Sequence, residues 1–206
     1  VVTGTIDGGL HDTQDEFILT GAGENLNFSD ITDFELVRGT GGNHTLTKND
    51  GGNEWVVDNV NDGSVTTGGT TVSFIDFVNL IGGSGVDEFD VSGTIGNITG
   101  NGGNDIITVT NVAADSVANI YGNAGDDTIS LDNTSVVTGT IDGGLHDTQD
   151  EFILTGTGQT LNLTSVTAFE ALTNNGTNNI LQSADGVSNT FTLDSADAGK
   201  IEYSGN

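Results

Sequence analysis

Apolar residues recur along this chain in short alternating runs, each entered through a glycine-rich corner. The fullest copies are LIGGSGVDEFDV (80–91), ITGNGGNDIITV (98–109) and IYGNAGDDTISL (120–131). Their common form is apolar-x-Gly-x-x-Gly-x-Asp-x-apolar-x-apolar. IDGGLHDTQDEFIL (141–154) keeps the form with two extra residues in the corner and has a twin at 6–19. VRGTGGNHTLT (37–47) and LTNNGTNNILQ (172–182) are weaker copies, with His44 and Asn179 in the aspartate slot. Period-2 alternation marks a half-buried strand. Each copy therefore predicts a strand, a tight corner and a second strand.

The corners begin at Gly8, Gly39, Gly82, Gly100, Gly122, Gly143 and Asn174, with gaps of 31, 43, 18, 22, 21 and 31 residues. Two residues past the aspartate slot stand Phe17, Leu46, Phe89, Ile107, Ile129, Phe152 and Leu181. Two before the corner stand Ile6, Val37, Leu80, Ile98, Ile120, Ile141 and Leu172. Like side chains returning once per coil would lie above one another, as in a solenoid. The expected fold is all-β, a parallel β-solenoid of the β-helix or β-roll kind with about nine turns of 18–31 residues. Tandem β-sandwich repeats are the alternative, because a longer period overlies the short one. Residues 1–21 recur unchanged as 136–156, and the weaker likeness that follows keeps the same offset of 135. With the gap of 43 read as two turns, residues 1–135 form one unit of about six turns. Residues 136–206 then begin a second copy in one continuous solenoid.

Composition narrows the function. Asp and Glu number 30 against 3 Lys and Arg, a formal charge of -27. Three scattered cations cannot neutralise a nucleic-acid backbone, so no nucleic-acid partner is expected. Absence of cysteine excludes disulfides and thiolate sites. No apolar run approaches the ~20 residues of a membrane span, so no insertion is expected. An opening at Val1 without a basic leader fits a fragment of a longer protein. Abundant Val, Ile and Phe in register argue against acidic disorder.

GGSGVDEFD (82–90), GNGGNDIIT (100–108) and GNAGDDTIS (122–130) resemble the calcium-binding nonapeptide of RTX (repeats-in-toxin) proteins. The wider chain resembles the repeat regions of large secreted bacterial surface adhesins. That resemblance implies Ca²⁺ held by Asp87, Asp105, Asp127, Asp150 and Asp15 with carbonyls of Gly82, Gly100 and Gly122. Ca²⁺ takes six to eight oxygen ligands, which suits such corners. Gly-Asn-Asp corners and asparagine ladders would also stack without a metal.

Enzyme readings are weak. His11 and His146 are one position in two copies, better suited to a surface loop than to a catalytic centre, and adjacent carboxylates are expected among 22 aspartates. No enzymatic activity is expected. The composite expectation is a structural segment of an extracellular or cell-surface bacterial adhesin or matrix filament, a stalk or fibre. Its partners would be neighbouring repeats or identical subunits end to end. A polysaccharide-binding or polysaccharide-processing β-helix is the rival, with Trp55, Phe74 and Phe77 as the place to seek a sugar-stacking groove. A self-assembling filament subunit is the other rival.

Overall fold

In the computed structural model, described for residues 6–10, 14–49, 51–110, 117–132, 137–158, 160–162, 166–177, 179–182 and 190–193, the chain winds as a parallel β-solenoid. A seven-stranded sheet runs through Asn25–Asn27, His44–Thr47, Phe77–Ile81, Ile95–Gly102, Val117–Ala124, Ile141–Leu145 and Val166–Thr167. A ten-stranded sheet faces it, and includes Glu54–Val57, Glu88–Val91, Ile106–Val109, Thr128–Leu131, Glu151–Leu154 and Ala171–Asn174 in succession. Each interior coil gives one strand to each sheet. Two smaller sheets, of two and three strands, lie at the ends.

The core consists of columns. In the seven-stranded sheet, Leu26, Leu46, Leu80, Ile98, Ile120, Ile141 and Val166 are successive register partners. In the other, Trp55, Phe89, Ile107, Ile129, Phe152 and Leu172 form a second column. Val57, Val91, Val109, Leu131 and Leu154 form a third beside it. Most of these side chains are fully buried, and each contributes roughly 1.5–3 kcal/mol by leaving water. Trp55 stacks on Phe89 with ring centroids 5.5 Å apart and planes 6° from parallel. Phe74 packs edge-on to Phe77 at 6.3 Å.

Among the described residues seven strands stack in the longest parallel succession, against about nine expected turns, and one of the missing turns has a specific reason. Between the register partners Leu46 and Leu80 the chain makes a single coil plus an inserted hairpin, Gly63–Thr67 and Thr70–Ile75. These strands enter the ten-stranded sheet, where Gly63–Thr67 runs antiparallel to both of its neighbours. Gly68 and Gly69 form the two-residue turn with φ of +57° and +85°, as a primed hairpin turn demands.

Outer coils differ from interior ones. They add a short strand, so a given motif falls one side further round. Val37 therefore pairs with Phe17, and Leu172 with Phe152, rather than joining the column of Leu80. Leu46 conversely joins the Leu80 column. The same pairing recurs in both sequence copies: Ile6 with Ile31 and Ile141 with Val166, Phe17 with Val37 and Phe152 with Leu172.

Candidate functional site

One residue stands immediately before each outgoing strand of the ten-stranded sheet, and in the stacked coils it is polar and buried. Asn53, Asp87, Asp105, Asp127 and Asp150 hold this slot, each at most 3% exposed. Every backbone N–H there donates to the side chain one coil further on. Asn53 N donates to Asp87 Oδ1 at 2.8 Å, Asp87 N to Asp105 Oδ1 at 2.8 Å, and Asp105 N to Asp127 Oδ1 at 2.8 Å. Asp127 N donates to Asp150 Oδ1 at 2.7 Å, and Asp150 N to Glu170 Oε2 at 2.9 Å. The result is a continuous column of carboxyl groups along the solenoid interior.

Four of the aspartates singled out by the motif are thus brought together. Asp15 lies apart, in the first sequence copy, where its N–H donates to Glu35 Oε2 at 2.8 Å. His44 and Asn179 do not join the column. His44 is buried against Phe77, and Asn179 donates from Nδ2 to Gly156 O and Asn174 Oδ1 at 3.0 and 2.6 Å. Asn53, Glu35 and Glu170 are members that motif reading missed. Their signal was position: each directly precedes a strand, as Asp87 precedes Glu88–Val91.

Gly82, Gly100 and Gly122 are required for closeness rather than for a left-handed backbone. None of the three has positive φ; that falls on Asn101, Asn123, Gly103 and Gly125. A Cβ on Gly100 would strike Asp105 Oδ2 and the Gly122 carbonyl, and one on Gly122 would strike Asp127 Oδ2 and the Gly143 carbonyl. Gly82 stands likewise against Asp87 Oδ2 and the Gly100 carbonyl. Carboxylate and carbonyl oxygens therefore crowd each glycine, one from its own coil and one from the next.

The carboxylates are only half satisfied. Asp87 has both oxygens engaged, since Gly83 N donates to Oδ2 at 2.6 Å. Asp105 Oδ2, Asp127 Oδ2 and Asp150 Oδ2 are buried without a hydrogen-bond partner. Burial pushes the Asp105 carboxyl up to about 7, against the Asp87 N–H bond that favours the ionised form. The neighbouring charges of Asp127 and Asp87 add to the rise. Burial likewise lifts Asp127 to about 6, and raises Asp87 and Asp150. Asp126, on the surface, moves the other way because N–H groups of Thr148 and Gln149 bind its Oδ1.

A buried carboxylate lacking a donor takes up a proton or a cation. The donors at Asp105 and Asp127 are all hard oxygens, the chemistry that Ca²⁺ selects. Orphaned Oδ2 atoms beside glycine carbonyls fit that ion. An amide ladder runs alongside: Asn119 Nδ2 donates to Asn97 Oδ1 at 2.7 Å, and Asn97 Nδ2 to Asn79 Oδ1 at 2.5 Å. It needs no ion, being made of groups that both donate and accept.

Trp55, Phe74 and Phe77 are fully buried and fill the core, so they present no face for a sugar. Among the described residues no helix is long and apolar enough to cross a membrane. Compared with known proteins, the chain matches no family model, no curated protein and no solved structure.

Proposed function

We propose that this chain is a calcium-stabilised, rod-like structural segment of an extracellular bacterial adhesin or matrix filament. The observation that carries the reading is the unbroken stacking of like residues through seven coils, from Leu26 to Val166. Such a stack gains length and little else from each added coil. Recurrence of residues 1–21 as 136–156 is growth by duplication, which lengthens a rod and does not build a unique site. The strongly acidic surface keeps long rods apart through mutual repulsion. Calcium, held by Asp105 and Asp127 with glycine carbonyls as in RTX-like repeats, supplies the positive charge that the buried column lacks. It also couples folding to the calcium-rich exterior of the cell. Adjoining repeats, or identical subunits end to end, would cover the ladder edges of such a rod.

Small-angle scattering on chains carrying one further copy of residues 1–135 tests the rod. The maximum dimension should grow by roughly 25 Å per copy, five to six layers at ~4.8 Å, with the cross-section unchanged. A cross-section that grows with each copy would show separate globular domains and end the proposal.

A further inference from the structure

The column changes character at its last aspartate. The corner between Ile141–Leu145 and Glu151–Leu154 is two residues longer than those at Asp105 and Asp127. That extra length folds His146 back over Asp150, four residues on. His146 Nδ1 lies 3.7 Å from Asp150 Oδ2 and 3.1 Å from Glu170 Oε2, which comes from the next coil. One donor atom from each of the three residues lies within 4.8 Å of the others.

We propose that His146, Asp150 and Glu170 form a site for a borderline divalent ion of the zinc class, distinct from the oxygen-only positions of the column. Three observations carry it. Asp150 is fully buried, and its Oδ2 has no hydrogen-bond partner while it points into the cluster. Donors bound at about 2.0–2.2 Å in a tetrahedron stand about 3.4 Å apart, and the two observed separations bracket that value. An imidazole nitrogen selects zinc-class ions over Ca²⁺, which takes oxygen donors. Backbone contacts hold the carboxylates in place: Asp127 N–H binds Asp150 Oδ1, and Asp150 N–H binds Glu170 Oε2. His146 and Glu170 are each about one-third exposed at the side chain (33% and 38%), which leaves the remaining coordination positions open to water.

The residue set occurs twice. His146, Asp150 and Glu170 match His11, Asp15 and Glu35 at the offset of 135. His11 lies outside the described residues, but Asp15 N–H reaches Glu35 Oε2 at 2.8 Å just as Asp150 N–H reaches Glu170. A repeat array would carry one such site per unit.

Isothermal titration of the whole 206-residue chain, stripped with chelator and dialysed, with zinc chloride tests the site. At least one zinc ion per chain is expected. His146→Gln, at an exposed position, should leave the circular dichroism unchanged and lower the number of zinc ions bound by one. Glu170→Gln, which keeps an acceptor for Asp150 N–H, should weaken the same site by at least about tenfold. Equimolar calcium chloride should not displace the zinc. Absence of zinc binding up to millimolar concentration would leave an ion pair only and overturn the proposal. So would a zinc isotherm that His146→Gln does not change, or one that equimolar calcium abolishes.

Discussion

Asp105 donates its backbone N–H to Asp127 Oδ1 across the coil boundary at 2.8 Å, while Asp127 Oδ2 is buried with no donor. In Asp105, Asp127 and Asp150 one carboxyl oxygen therefore holds two coils together, and the other has no hydrogen-bond donor. The stability of the solenoid turns on how the charge of these carboxyls is met.

The first consequence is an inverted pH dependence. Asp105 and Asp127 titrate near 7 and 6 when folded and near 3.8 when unfolded, so the folded chain binds more protons between those values. Their contribution is fully present below about 4 and is lost as pH rises through about 6 to 7. In chelator, stability should fall from pH 5 to pH 8, by on the order of 3 kcal/mol for Asp105 and about 1 kcal/mol for Asp127, and the melting temperature should fall with it. A melting temperature that rises over this range would refute the buried-charge account.

Replacing the charge by an amide should remove that dependence. Asp105→Asn and Asp127→Asn keep an acceptor for the N–H of the preceding coil and supply a donor at the orphaned position. Asn53 already places an amide in this column, donating Nδ2 to Asp87 Oδ1 at 2.5 Å. At pH 8 in chelator each variant should be more stable than the parent in urea denaturation, by about 1–3 kcal/mol. Destabilisation by the amide would mean that the ionised carboxylates are themselves stabilising.

Glycine tolerance should follow closeness. Gly100→Ala and Gly122→Ala drive a methyl group into a carboxylate and a carbonyl, and should cost about 2–4 kcal/mol. Gly102→Ala is the control, since a Cβ there meets nothing nearer than 3.8 Å. Its register partner on the next coil is already Ala124. Equal losses at Gly100 and Gly102 would show that backbone freedom, not contact, is what matters.

Column residues should behave as core. Ile107, fully buried between Phe89 and Ile129, should lose about 2–5 kcal/mol as Ile107→Ala. Chemical denaturation reads this directly, and a loss below about 1 kcal/mol would place the residue at a surface.

The interior coils could be read from the chain because each repeats one pattern at nearly constant length. Leu80, Ile98, Ile120 and Ile141 recur at 18–22 residues, and steric stacking leaves such residues one place to go. The hairpin of Gly63–Thr67 and Thr70–Ile75 was not legible as such, because its alternation is the same whether a strand runs parallel or antiparallel. Val37 and Leu46 exchanged columns for a related reason: the motif reports a strand and a corner, not the sheet they join. Glu35 and Glu170 escaped notice because a longer carboxylate fills the aspartate slot without the glycine corner before it. His146 looked like a loop residue until the coil placed Glu170 beside it.

Thermal melting at pH 8 in chelator and then in millimolar calcium tests the calcium-stabilised rod most directly. Calcium should raise the melting temperature of the parent chain and leave the Asp105→Asn, Asp127→Asn double variant unmoved. A parent chain whose β-structure melts at the same temperature with and without calcium would contradict the account.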